Sequence, residues 1–379
     1  MKKNSLYIHW PFCKKKCPYC DFNSHVRDSI DDDKWLKAYE TEIVRYSKDY
    51  KNINTIFFGG GTPSLIPINT MDKILECIYK NFSLDENIEI SMEANPTSFE
   101  SKKFKNFKSM GINRISIGIQ ALNDFDLKYL GRNHTLDESI ETITQAQKIF
   151  DNFSFDLIYA RHENHSVKNW INELKYALDF GAKHMSLYQL TIEPGTAFYN
   201  WLNSGKISIP KDNISSDFYK ATNDVMEKNG MINYEVSNYA FEGFECMHNL
   251  SYWNYHDYIG IGPGAHGRIS NKNGEKFATV QRRSPESWLK NVLLKSPEKY
   301  EEKTIINKKD QSQERVIMGL RLLKPFDLEK LECNWNEIIS EESVKKLVKE
   351  EFLEKNGNFI KVTKEGRIRL NAVIEYLLK

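Results

Sequence analysis

The sequence predicts an α/β protein with a parallel sheet at its core, followed by a smaller helical module. Short apolar runs alternate with amphipathic stretches up to about residue 200, and beyond it that alternation stops. The runs at 6–9, 55–58, 88–92, 114–117, 153–158 and 184–190 have the length and character of buried strands. Between them lie helical patterns at 34–46, 71–79, 99–108, 139–150 and 167–180. In the first of these, Trp35, Leu36, Tyr39, Ile43 and Val44 share one stripe. Strand–helix alternation of this kind builds βα units and a parallel sheet. Six such strands are too few for a closed barrel of eight.

The second half reads differently. Residues 204–216 are polar and contain Pro210, as in a connection. A strand-like run covers 234–239, an aromatic, Gly-rich stretch 241–267, and a hairpin with a linker 271–297. Helices are expected at 311–322 and 343–349, then a hairpin at 353–362 turning at Asn356-Gly357, then a helix over 364–378. The helix–helix–hairpin–helix order suggests a winged-helix-like module. The expected division is 1–235, 236–300 and 301–379.

Lys plus Arg number 53 and Asp plus Glu 52, so a basic nucleic-acid-binding surface is not expected. For the terminal module a lid or docking role is expected rather than DNA binding. No apolar run is long enough to cross a bilayer. The opening residues, Met1 to Ser5, lack the apolar core of a signal peptide. A cytoplasmic setting is expected, and a peripheral membrane contact or a homodimer is left open.

Six Cys are present, and Cys77, Cys246 and Cys333 are isolated. Cys13, Cys17 and Cys20 form a C-x3-C-x2-C run with Tyr19 before the last. A loop of this length can fold three thiolates around one face of an iron–sulfur cube. Cubane clusters usually take four Cys, so one iron would be left for another ligand. The alternative is a zinc-binding module without redox chemistry, closed by His9 or His25. No second Cys or His pair follows at zinc-knuckle spacing. The chain is too long for a small disulfide scaffold.

The cysteine run resembles the signature of the radical S-adenosylmethionine (SAM) superfamily, and other motifs extend the likeness over most of the chain. They are Gly59-Gly60-Gly61-Thr62-Pro63, Glu93-Ala94-Asn95-Pro96, Arg114-Ile115-Ser116-Ile117-Gly118-Ile119-Gln120 and Leu130-Gly131-Arg132. They are similar to the branch that holds oxygen-independent coproporphyrinogen III oxidase and the HemW family of haem chaperones. The resemblance implies an open (β/α)6 partial TIM barrel. It implies a [4Fe-4S] cluster on Cys13, Cys17 and Cys20, with SAM on the fourth iron and cleaved reductively there. It implies SAM contacts from Gly60, Gly61, Thr62 and Glu93, with Tyr7 and Tyr19 flanking the cluster. Gln120, Arg132 and Asp156 match positions that line a second SAM site in the oxidase.

Within that branch, Phe22 stands where the oxidase typically has a further Cys, and Cys13 is reached almost at once. Both features turn the expectation from oxidase to chaperone. His248-Asn249-Leu250-Ser251-Tyr252-Trp253 resembles the haem-binding HNxxYW motif, which makes His248 the expected haem ligand and Cys246 an alternative. Haem and client haem proteins follow as expected partners. Lys14-Lys15-Lys16 would attract an acidic, flavodoxin-like electron donor. The chain reads Ala160-Arg161-His162-Glu163-Asn164-His165 where the family usually has Gly-Leu-Pro-Gly-Gln, and a surface loop is expected there.

Overall fold

The computed structural model describes residues 4–378. Six strands, Asn4–Trp10, Asn52–Gly60, Ser83–Ala94, Arg114–Gln120, Asn152–Tyr159 and His184–Gln189, lie side by side in chain order and all parallel. Helices join them, as parallel neighbours require. The fold is the expected α/β arc of six units. Strands buried on both faces read as near-continuous apolar runs, and Leu6, Ile8, Ile56, Phe58, Ile115 and Ile117 are fully buried.

Side chains alternate across each strand. On the first strand Leu6, Ile8 and Trp10 join the apolar core. Tyr7 and His9 have the opposite parity, and their side chains are hydrogen-bonded to each other at 3.1 Å. Polar chemistry is thereby confined to one face of a largely apolar sheet.

The sheet continues past the arc on both sides, which the pattern of the second half did not reveal. Strand Asp257–Ile261 pairs parallel with Asn4–Trp10, and His266–Ser270, Lys276–Gln281 and Glu301–Ile306 follow antiparallel. At the other edge Asn238–Ala240 and Ile232–Asn233 add an antiparallel return. One twelve-stranded sheet results. The stretch read as a linker holds helix Pro285–Leu293, whose Trp288 stacks on Trp35 at 5.6 Å.

Three smaller differences have local causes. The run at 234–239 pairs only from Asn238, because the Glu235 carboxylate accepts from the amides of Ser237 and Asn238 and turns the chain. The helix read over 99–108 is two short ones, Ser98–Ser101 and Phe104–Ser109. The last helix breaks at Arg369 into Lys364–Ile368 and Leu370–Leu377. The terminal residues bury their own apolar cluster, including Val316, Leu328, Ile360, Val373 and Leu377. A three-stranded sheet covers it, with Gly357 at φ 57° in the hairpin turn.

Candidate functional site

The Cys run leaves the carboxyl end of the first strand, which lies inside the sheet with a parallel partner on each side. Sites in parallel α/β folds collect at this end. Here a cavity of about 490 Å³ is lined by Cys13, Cys17, Cys20, Tyr19 and the ends of all the later barrel strands. Gly60, Gly61, Thr62, Glu93, Gln120, Arg132 and Asp156 line it as well. Twelve residues of the sequence-derived site thus need only one of their number placed elsewhere.

The exception is Tyr7. Its parity on the strand turns it into a second, inner cavity of about 310 Å³, beside Phe57 and below Gly59. The two cavities share Glu93, Ser116, Asp156 and Tyr188.

Each cysteine has a polar side chain against its sulfur. Thr62 donates to Cys13 Sγ at 3.4 Å, the Arg132 guanidinium to Cys17 Sγ at 3.3 Å, and Ser24 Oγ lies 3.7 Å from Cys20 Sγ. Burial pushes the Cys13 thiol up to about 11, and burial also raises Cys20. Metal coordination removes such protons outright. Among the described residues no group of three or more His, Cys, Asp or Glu converges as ligands of one metal ion would. A structural zinc ion needs four donors around one point, whereas a cube is gripped at separate corners. Three thiols line the cavity and both His9 nitrogens are engaged, so the donor set suits a cube with one corner left to another ligand.

Arg132 ties the loop to the barrel. Its Nη2 donates to Asn95 Oδ1 and to the Gly118 carbonyl, both at 2.8 Å. Asn95 donates in turn to Thr62 at 2.9 Å. One network thus spans all four motifs and two of the cysteines. Asn95 was quoted in its motif but given no role, since only the fold shows it facing both partners. Gln120 ends its strand at φ 73°, a strained backbone for a non-glycine residue.

Glu93 accepts from the Gly60 amide at 3.1 Å. Burial, then the nearby Asp156 charge, push its carboxyl up to about 8. Burial pushes Asp156 up to about 6, against hydrogen bonds from Ser186 and Ser116. Two carboxyl groups with little mutual screening make a place for a cationic ligand group.

His248 lies in helix Met247–Trp253 and faces the inner cavity. It is 1% exposed. Nδ1 sits 2.9 Å from Thr55 Oγ1 and Nε2 2.7 Å from Tyr252 Oη, so both ring nitrogens are engaged. Cys246 is fully buried, and its thiol, 3.5 Å from Glu89, is pushed up to about 12 by burial and that carboxylate. Neither group is open to a ligand in this arrangement.

The loop expected on the surface is partly buried. Arg161 is 0% exposed and pairs with Asp126 at 2.5 Å and with Glu173. His162 reaches Asp126 at 2.8 Å, and His165 is buried against Phe218. Ala160 takes φ 54° to begin this turn. A buried guanidinium must be paired, and both partners lie on the neighbouring helices. The pairing anchors helix Asp124–Tyr129, directly before Leu130-Gly131-Arg132.

A family model described as "Radical SAM superfamily" matches residues 7–183, and one described as "HemN C-terminal domain" matches 306–369. A protein named "Heme chaperone HemW" from Buchnera aphidicola subsp. Schizaphis graminum is 36% identical over 381 residues, 99% of this chain and 98% of that protein. The protein of the same name from Escherichia coli K12 is 32% identical over 99% and 98%. A mitochondrial radical S-adenosyl methionine domain-containing protein 1 from Danio rerio is 34% identical over 99% and 86%. The solved structure of coproporphyrinogen III oxidase (HemN) from Escherichia coli has a TM-score of 0.84 at 20% identity, over 100% of this chain and 90% of that one. That last likeness concerns the fold.

Proposed function

Because the chain belongs to the radical SAM superfamily, in the family of the proteins named HemW, we propose that it is a haem chaperone that binds haem and passes it to haem proteins. The observation that carries this is whole-length similarity to relatives bearing that name. Superfamily membership brings SAM and a [4Fe-4S] cluster. When bound, the cluster supplies the electron for reductive cleavage of SAM.

The chain's own residues hold and orient. Cys13, Cys17 and Cys20 would grip the cube, and Arg132 would offset the charge gathered at Cys17. Gly60, Gly61 and Thr62 present backbone along one wall of the cavity. Glu93 would take the amino group or the ribose of SAM. Lys14, Lys15 and Lys16 are exposed at the rim, which suits an acidic electron donor. A reducing, cytoplasmic setting suits three thiols kept ready for iron. Among the described residues no helix is long and apolar enough to cross a membrane. His248 enters this reading only through unpacking of helix Met247–Trp253, since both its nitrogens are engaged.

The test is transfer. The reconstituted protein, loaded with haem, should pass it to an apo-haem protein, and with coproporphyrinogen, SAM and reductant it should give no vinyl product. Formation of the divinyl porphyrinogen would move the reading to the oxidase.

SAM affinity should depend on pH. Glu93 is largely protonated at neutral pH in the free protein, since its carboxyl is raised to about 8. A cationic ligand favours the ionised form, so binding releases a proton. Affinity should rise with pH toward 8, by up to about tenfold per unit. The sign for stability is the opposite: the unliganded protein should lose stability as pH rises from the ordinary carboxyl range through about 8. Calorimetric titration between pH 6 and 9 in two buffers of different ionisation heat would check both the affinity and the proton release. A Glu93→Gln variant should remove the slope.

A further inference from the structure

We propose that the inner cavity is a carboxylate site, with the buried Arg114 and His184 as its donors, and that the carboxylate is a propionate of the haem accepted by helix Met247–Trp253. This rests on the haem-chaperone reading above.

The argument begins with two donors that lack acceptors. Arg114 and His184 open their strands, so both stand at the amino end of the parallel arc, opposite the cysteine run. Both line the inner cavity, at 2% and 1% exposure. Arg114 Nη2 donates to Ser154 Oγ at 3.2 Å, while Arg114 Nε and His184 Nδ1 are buried with no hydrogen-bond partner among the described residues. The Tyr234 hydroxyl accepts from the Cys246 amide at 3.3 Å and lies 2.9 Å from His184 Nε2. Its proton therefore falls to Nε2, and the His184 proton to Nδ1. Burial, with Arg114 nearby, keeps that imidazole neutral. A guanidinium N–H and an imidazole N–H thus meet at one cavity. Buried donors need acceptors, and a buried cation needs an anion.

The neighbouring carboxyl groups are committed elsewhere. Glu89 accepts from the amides of Met247 and His248, both at 3.1 Å. Glu93 accepts from Gly60, and Asp156 from Ser116 at 3.2 Å. Glu89 and Asp156 act on Arg114 through space without forming an ion pair with it.

Helix Met247–Trp253 supplies the cover. Its His248, Asn249 and Tyr252 line the same cavity. Glu89 holds the helix at its first amides, and Thr55 holds it at His248 Nδ1. A displacement that parts His248 from Thr55 uncovers the cavity in the same movement. Arg114 acts electrostatically on His248 as on His184, so imidazole and guanidinium are near neighbours, as a haem iron and its own propionate are. The cavity, about 310 Å³, accommodates an acid arm and leaves the disc against the helix.

Titration of the reconstituted full chain with haem and with its dimethyl ester, in which both propionates are masked, tests this. The wild type should bind haem roughly tenfold more tightly than the ester. Arg114→Gln should lose that preference, with its ester affinity and its Soret band unchanged. Arg114→Lys should recover part of it, and His184→Phe should weaken haem binding several-fold while sparing the ester. Equal wild-type affinity for haem and ester, or an equal loss for both ligands in Arg114→Gln, would overturn the proposal. So would a rise in melting temperature with sodium propionate alone while haem and ester bind alike, which would assign the site to a free carboxylate. A wild type that binds neither porphyrin would instead overturn the chaperone reading beneath it.

Discussion

Replacing Cys13, Cys17 or Cys20 singly by Ala should reduce iron after anaerobic reconstitution from about four per chain to near zero, with loss of the broad cluster absorption near ~400 nm. Cys77→Ala and Cys333→Ala should keep full iron, because those thiols lie outside the cavity that the three share. Two protein sulfurs cannot hold a cube against chelators when only three were available at the start. The argument also separates iron from zinc. A zinc site would give a colourless protein with one metal, and its loss would follow from His9 or His25 as much as from a Cys. His9 is unsuited to that part: it is buried, with Nδ1 against Tyr7 and Nε2 3.0 Å from the Asn23 carbonyl. Iron and sulfide analysis of each variant gives the answer. Retention of wild-type iron in any of the three would remove that cysteine from the ligand set.

A large effect on stability should come from Gly60→Ala. Gly60 has φ 115°, a conformation that residues with a side chain rarely adopt. A Cβ there would lie 2.6 Å from the His9 ring and 2.8 Å from the Trp10 carbonyl oxygen. The ring can swing only by breaking its bonds to Tyr7 and Asn23, and the carbonyl oxygen is itself held by the Gly61 amide at 2.7 Å. Backbone strain and overpacking together should cost about 3 kcal/mol or more. Urea unfolding of the metal-free protein measures this apart from any cofactor. Gly243→Ala gives the scale for a positive-φ position with nothing within 4 Å of the added atom. The excess cost at Gly60 over Gly243 reports the clash with His9 and Trp10 together with the less favourable φ.

The six-unit arc was legible because its strands are buried on both faces and its helices on one, so period and length marked every strand. The cavity was legible because its residues sit in short runs at strand ends, where the fold gathers them. Legibility failed where spatial neighbours are remote in sequence. Strand Asp257–Ile261 lies beside Asn4–Trp10, yet the sequence marks it only as part of an aromatic, Gly-rich stretch. His248 read as an open ligand because a motif carries no burial. Its engagement with Thr55 and Tyr252 exists only after the helix docks on the barrel. Arg161 read as a surface residue because charge usually signals exposure. Asp126 and Glu173, which pair with it, come from helices on either side of the loop.

The first strand is clasped by a parallel neighbour on each flank, and one of those neighbours arrives more than 240 residues later. The hinge from which the sulfur-bearing segment springs is therefore completed only after most of the polypeptide has been synthesised. Iron would be offered a seat that is finished late and then stays put. A chain released early by truncation before Asp257 would expose the flank of its own keystone, and such fragments should clump before they ever take up metal.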